Sequence, residues 1–219
     1  YLAMRPYKRK KLNRSDGKVK ISFIGERFYG KGGQDVLKAY SILTKKYGNI
    51  ELKFKSKVPE EYKNLKLPGL KFIEGHFPRD KLFDMMYLDA DIFVLPTHTD
   101  NYGVVFLEAM SAGLPIVGTK SFTVPELIED GKNGFLIETL YSWENYVPYG
   151  KDEELMKNLH KEHKDIVNQL VDKLSILIES KELREKMGKE SRKLIETGKL
   201  SINERNKKLK KIYDEALKN

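Results

Sequence analysis

The chain has 219 residues, enough for one large domain or two small ones, with no Cys and a formal net charge of +9. The lack of Cys excludes disulfides and thiolate metal sites, and no run approaches the roughly 20 apolar residues of a membrane span. At 40% apolar and 33% charged residues the composition suits a soluble globular protein with a highly charged surface. Lys and Glu abound while Gln is nearly absent, a thermophile-like composition that AT-rich genomes also favour. A Cys-free chain is by default intracellular, so a cytoplasmic location is expected.

In chain order, residues 1–14 carry Arg5, Lys8, Arg9, Lys10, Lys11 and Arg14 without an acid. Two readings stand: a patch for anionic lipid or nucleic acid, or a solvated linker, the plainer of the two. Residues 18–25 read as a strand, 33–47 as a helix, 51–55 and 70–74 as strands, and 79–88 as a helix with Pro78 near its start. Ile92 to Leu95 is a short apolar run closed by Pro96, which suits a strand buried on both faces. Residues 97–102 are polar and read as loop, and 104–112 as a buried helix stopped by Gly113 and Pro115. A strand at 115–119, a short helix at 125–129 and a strand at 134–137 follow. Residues 138–150, with Trp143, Tyr146, Pro148 and Tyr149, read as an irregular aromatic insertion. From 151 onward the pattern is helical, with breaks near Lys181 and Gly198. This alternation implies an α/β fold, a Rossmann-like doubly wound parallel sheet with a helical C-terminal tail. The expected organisation is a basic linker or N-terminal segment over 1–17, a Rossmann-like domain over 18–150, and a helical extension over 151–219 packed on that domain.

The most informative run is DIFVLPTHTDNYGVVFLEAMSAGLPIVGT, from Asp91 to Thr119. It places two acids, Asp100 and Glu108, around Gly103 in a loop beyond a parallel strand and at the start of a helix. Ligands of open parallel sheets sit outside the carboxyl ends of the strands, and a helix N-terminus attracts phosphate.

This run resembles the signature of the retaining nucleotide-sugar glycosyltransferases of family 4, the "glycosyl transferases group 1" family with the GT-B fold. The pattern is an acid, seven residues and Glu, with Tyr-Gly inside and Ala-Met after; here Asp100, NYGVVFL, Glu108, Ala109 and Met110. The resemblance continues in ISFIGERFYGKGGQDVLKAY, KFIEGHFPRDKLFDMMYLDADIFVLP and FTVPELIEDGKNGFLI, four motifs in order over about 19–137. It implies the donor-binding C-terminal half of a two-domain enzyme. The N-terminal acceptor domain has no room in 219 residues, so the chain reads as a fragment of a longer enzyme or a half that needs a partner chain.

The resemblance also assigns roles. Glu108 receives the ribose hydroxyls of the donor, against the plainer reading of a helix N-terminal acid favoured by the macrodipole. Asp100 faces the transferred sugar; the family usually has Glu there, so contact shifts or runs through water, and a turn-former is the alternative. Asn101, Tyr102, Gly103 and Val104 offer backbone amides to the diphosphate. Arg27 and Lys31, with Gly25 and Gly32 around them, neutralise the leaving diphosphate, although Glu26 stands directly after Gly25 where the family has Arg. His76 and Phe77 lie where the family's loop approaches the base. His98 either contacts sugar or fills the loop, and Glu126 either orients the site or starts a helix.

Three patterns are decoys. Gly25, Gly30 and Lys31 approach a phosphate-binding G-x-x-x-x-G-K loop, but Gly32 stands where Ser or Thr would hold magnesium. Asp89-Ala90-Asp91 precedes a strand instead of ending one and reads as a helix end. No G-x-G-x-x-G occurs, since Asp35 falls where the last glycine would be. The four His residues are too scattered in sequence for a metal site, and the resemblance implies transfer without a bound metal, so no cofactor is expected. The expected function is transfer of a sugar from a nucleotide diphosphate sugar to an acceptor with retention. The expected partners are the nucleotide-sugar donor, an acceptor-binding domain or partner chain, and an anionic membrane surface at the cytoplasmic face. The alternatives are a catalytically inactive nucleotide-sugar-binding module, a nucleic-acid-binding protein suggested by the charge, and a P-loop NTPase.

Overall fold

The computed structural model describes residues 3–9, 15–100, 102–141 and 153–217. Within them, six strands form one parallel sheet in the order β3-β2-β1-β4-β5-β6. They are β1 (Val19–Ile24), β2 (Ile50–Lys55), β3 (Leu70–Phe72), β4 (Ile92–Leu95), β5 (Ile116–Thr119) and β6 (Gly134–Ile137). β4 and β5 are buried at every position, as near-continuous apolar runs covered on both faces must be. The register pairs Phe23 with Phe54 and Phe54 with Phe72, so aromatic side chains line one side of the β1–β2–β3 half.

The strand order reverses between β1 and β4, which pair through Ile21 with Ile92 and Ser22 with Phe93. α1 (Gly33–Lys46) leaves β1 towards β2, while α4 (Val104–Ser111) leaves β4 towards β5. Right-handed connections running in opposite directions place these helices on opposite faces and open a crevice between their starts. α1 packs against α7 (Lys164–Glu179), and α4 against α8 (Lys181–Glu196). Gly188 of α8 lies so close to Gly113 that a Cβ there would meet the Gly113 carbonyl at 2.1 Å. The remaining helices are α2 (Glu60–Lys63), α3 (Arg79–Phe83), α5 (Val124–Leu127), α6 (Glu153–Leu159) and α9 (Ile202–Ala216). α3 runs on into a wider π turn over Asp84–Leu88, a widening that functional sites often use.

The two expected breaks in the helical tail are present, near Lys181 and Gly198, and other boundaries differ from the sequence expectation. The helical tail breaks at Ser180, whose hydroxyl caps α8 by accepting from Leu183 N, and before α9, where Ser201 caps in the same way. It also breaks at 160–163, between α6 and α7, where no Gly or Pro signals it. The N-terminal stretch is not a free linker over 3–9. The Tyr7 ring stacks on Phe83 at 3.6 Å, its amide donates to Ser111 Oγ, and Arg9 pairs with Asp84. Apolar and hydrogen-bonded contacts hold this segment across the α3–α4–α8 side, which a count of its charges does not reveal. Lys10, Lys11 and Arg14 lie outside the described residues, as do Trp143, Tyr146, Pro148 and Tyr149 of the aromatic insertion.

Candidate active site

Parallel strands deliver the loops after β1, β3 and β4 to one edge of the sheet. Two of these loops are welded together. The Gly30 carbonyl accepts from the amides of His98 at 2.9 Å and Thr99 at 3.0 Å. Lys31 crosses the crevice: its Nζ donates to the Thr99 carbonyl at 2.8 Å and lies 2.9 Å from Asp100 Oδ2. The Thr97 hydroxyl donates to the Thr99 carbonyl, and the Thr97 carbonyl accepts from Thr119 Oγ1 at the end of β5. Burial holds the Lys31 pKa below its ordinary value of 10.5, and the charge and hydrogen bond of Asp100 oppose that shift. Lys31 is thus a partly desolvated ammonium whose present partner is a carboxylate, a pairing for which another anion could compete.

Gly32 is required by two independent constraints. Its φ is +70°, and a Cβ would stand 2.3 Å from the Pro96 carbonyl. This contact brings the start of α1 against the end of β4. Gly103 caps α4 in the same left-handed conformation, with φ +60° and the Phe106 ring 2.5 Å from any Cβ. No side chain caps either helix start, which leaves first-turn amides facing the crevice.

Glu108 lies on the first turns of α4 with its side chain 18% exposed. Its Oε2 accepts from the Tyr87 hydroxyl at 2.8 Å, and its Oε1 lies 3.4 Å from Arg79 Nη2. The π turn delivers Tyr87. Burial, with the Glu108 charge beside it, raises the Tyr87 pKa well above the ordinary value, so the phenol remains a donor. A carboxylate held by one hydroxyl and loosely by one guanidinium keeps lone pairs for a further donor.

The remaining expected residues are distributed as follows. Gly25 packs so closely on Lys31 that a Cβ would meet Lys31 Cβ at 2.7 Å. Arg27 is exposed in a depression of about 440 Å³ with Glu26, Phe28, Tyr29 and Lys57, and Glu26 pairs with Lys57 at 2.7 Å. His76 is exposed on the loop after β3; Phe77 is half-buried, with the ammonium groups of Lys55 and Lys81 5.4 and 5.5 Å from its ring. Tyr102, 61% exposed, lines a groove of about 690 Å³ with Thr123, Glu126, Lys199 and Lys208. Val104 is exposed at the start of α4. Asn101 lies outside the described residues. Beside the Tyr102 groove, Phe122 is buried with φ 51°, a left-handed conformation costly for an aromatic residue.

Two expectations are corrected. His98 turns away from the crevice: its side chain is fully buried and its Nε2 lies 2.7 Å from Asp35 Oδ2, so it fills the loop from behind. The histidines are not all scattered, because folding brings His163 to the same carboxylate, 3.0 Å from Asp35 Oδ1. Asp35, His98 and His163 place their donor atoms within 4.8 Å of one another, although 65 residues separate the two histidines. Sequence spacing does not single out Asp35 and His163 for this role. A usable signal was Asp35 itself, an acid among the apolar residues Val36, Leu37, Ala39 and Tyr40 of α1, since a buried carboxylate requires partners. The Asp89-Ala90-Asp91 decoy is structural: Asp89 pairs with Lys20 and Lys53, and Asp91 accepts from the Lys20 amide.

The family model for "Glycosyl transferases group 1" matches residues 4–164. A glycosyltransferase of Haemophilus influenzae is 36% identical over 132 residues, which are 58% of this chain and 37% of that protein. The D-inositol 3-phosphate glycosyltransferase of Corynebacterium kroppenstedtii is 28% identical over 132 residues, 54% of this chain and 29% of that protein. Among solved structures, the C-terminal domain of a glycosyl transferase group 1 family protein (LpcC) from Francisella tularensis superposes with a TM-score of 0.65. It is 24% identical, and the match covers 85% of this chain and 88% of that one. The matched region spans about a third of the length of these curated relatives. With the model matching most of its length, and with the fold and signature loop in place, the chain belongs to the glycosyl transferases group 1 family.

Proposed function

We propose that this domain binds a nucleotide diphosphate sugar in the crevice between the starts of α1 and α4, and that it transfers the sugar with retention once an acceptor-binding domain is supplied. The observation that carries the reading is the junction of Lys31, Asp100 and the uncapped starts of α1 and α4 at the point where the strand order reverses. Lys31, Arg27 and the first-turn amides would neutralise the diphosphate. Glu108 would accept from the two ribose hydroxyls while Tyr87 fixes its orientation. Asp100, released from Lys31 by the phosphate, would turn to the sugar hydroxyls. In the transfer, the bond from the anomeric carbon to the phosphate oxygen breaks. The acceptor oxygen bonds to that carbon from the same face, and its proton passes to the leaving phosphate oxygen. The chain needs no general base of its own for this step, and no metal enters it.

The acceptor domain, on a partner chain or in a longer chain, would dock on α9. α9 buries none of its residues and shows Leu209, Ile212, Tyr213 and Leu217 at helical spacing on one face. A partner with an apolar groove would cover this stripe. A panel of UDP-, GDP- and ADP-sugars read by thermal shift tests the donor reading. One base should stabilise the domain, and a flat response to all of them would overturn it. An anionic membrane surface is the further partner proposed for the N-terminal cations. Pelleting should require anionic liposomes and fall with salt; equal pelleting with neutral liposomes would refute it.

A further inference from the structure

Behind the crevice, the Asp35 carboxylate receives one ring on each oxygen: His98 Nε2 at 2.7 Å on Oδ2 and His163 Nδ1 at 3.0 Å on Oδ1. All three side chains are at most 5% exposed. The other nitrogen of His163 lies 2.9 Å from the Asn158 carbonyl. A carbonyl and a carboxylate only accept, so a neutral His163 would leave a lone pair facing one of them at hydrogen-bond distance. Both contacts are satisfied only when His163 carries both protons. Short, direct N···O distances on both carboxylate oxygens leave room for protons on those lines, whereas a metal ion would have to push the rings apart.

We infer that Asp35, His98 and an imidazolium at His163 form a buried charged brace that positions the signature loop, and with it the Lys31–Asp100 pair. The brace joins three elements: the first turn of α1, the loop after β4, and the break between α6 and α7. His98 stands between Thr97 and Thr99, and its own amide and that of Thr99 hold Gly30. Tying its ring to Asp35 therefore fixes the Thr99 carbonyl that receives Lys31. Gln34 reinforces the same junction by donating to the Lys161 carbonyl and accepting from Tyr62. The brace also sets charge. Asp35 lies in the first turn of α1, where a bare carboxylate would repel an anion at that helix start. The His163 proton cancels it.

The groups around the brace give the pH window. Burial works against the His163 charge, but Asp35 and the Asn158 carbonyl outweigh it and raise its pKa above 6.5; Lys38 of α1, paired with Glu162 at 3.6 Å, opposes slightly. Burial likewise works against ionised Asp35, and the two histidines outweigh it and hold its pKa below 3.8. Tyr62 donates to Gln34, and burial, with the charges of Glu61 and Asp35, raises its pKa, so it keeps its phenol proton. His163 gains its partner in the folded state, so its contribution is complete below pH 6.5 and is lost as pH rises through the raised value. The Asp35 contribution is lost only as pH falls through its lowered value.

The test uses the 219-residue chain without ligand and with UDP or GDP; the effect on nucleotide rests on the function proposed above. Nitrogen-15 spectra of the rings should show both His163 nitrogens protonated at pH 6.5 and above, until the brace titrates. Amide protection at His98 and Thr99, corrected for intrinsic exchange, should fall about tenfold in His163→Gln, the loss of one charge-assisted bond, and in wild type once His163 titrates. Asp35→Asn should behave like His163→Gln, and His163→Lys, which restores a cation, should recover part of the protection. Nucleotide affinity should fall with the same pH limb in wild type, and the limb should vanish in His163→Gln. A singly protonated His163 at pH 6.5, or unchanged protection in folded His163→Gln, overturns the brace. So does one equivalent of zinc retained by wild type and lost in His163→Gln, which would make the cluster a metal centre. Failure of every nucleotide to bind, with protection responding as expected, sinks the donor reading alone.

Discussion

Glu108 is tied to the fold through Tyr87 and is also proposed to bind the donor, so the two roles must be separated. Removing the carboxylate with Glu108→Ala leaves the buried Tyr87 hydroxyl without its acceptor, a cost of about 1–3 kcal/mol in stability apart from any ligand. Glu108→Gln separates the effects, because its amide oxygen can still accept from Tyr87 while the charge is lost. By calorimetry, Glu108→Gln should weaken donor binding at least about tenfold with near-native thermal stability. Unchanged affinity would return Glu108 to a structural role. Lys31 yields a prediction with opposite trends. Its pKa lies below 10.5 because burial penalises the charged form, with Asp100 opposing. Between that lowered value and 10.5 the unfolded chain holds a proton that the folded chain has lost, so this group's contribution to stability rises with pH. Anion affinity should fall over the same window, because the charge proposed to bind diphosphate is disappearing. Titrations at alkaline pH should show that loss in wild type and a flat profile in Lys31→Arg, which does not titrate there.

The elements that shape the crevice are set by close backbone approaches. Gly32 lets α1 start against Pro96, and Gly188 lets α8 lie against the turn after α4. In an isolated helix Gly188→Ala would gain about 1 kcal/mol. Here the added methyl meets a backbone carbonyl that cannot rotate away, so overpacking of about 1–3 kcal/mol should win. Urea denaturation should show a net loss of stability in Gly188→Ala; a gain would mean that α8 shifts freely on α4. The π turn is a second such device. It widens the end of α3 and carries Tyr87 to Glu108, which an ordinary helical reading of 79–88 would not deliver.

Across the whole molecule, the function proposed above assigns this chain the donor side of a crevice that an acceptor domain would complete. On that reading Lys31, Asp100 and Glu108 serve the donor, and the acceptor-orienting groups would come from the other domain. The purified chain is expected to bind donor but to show little or no turnover, since positioning the second reactant contributes a large part of a bimolecular rate. Robust transfer to a simple acceptor by this chain alone would refute the proposed need for a partner domain. Addition of the partner domain should restore turnover, and Ile212→Asp with Tyr213→Asp on the exposed α9 face should reduce that restoration without changing donor affinity.

Much of this architecture was legible in the sequence because its signals are local. The apolar run Ile92 to Leu95, the stop at Gly113 and Pro115, and the alternation of strand and helix patterns require only the periodicity of the chain and the conformational limits of Gly and Pro. Asp100, Glu108, Gly103 and Lys31 were legible through motif spacing, which folding then brings to one edge. Pairing across distant segments was not legible. Tyr87 reaches Glu108 across 21 residues through a helix widening that no residue pattern signals. His98 lies in a polar loop that reads as facing ligand, yet its ring turns inward, because a carboxylate 63 residues earlier had to be satisfied in the core. His163 reaches that carboxylate only because α7 packs on α1. Local pattern thus specified which elements form and where they end. The strand order and helix packing specified which polar groups meet, because burial forces each buried charge to find its partner wherever in the chain that partner lies.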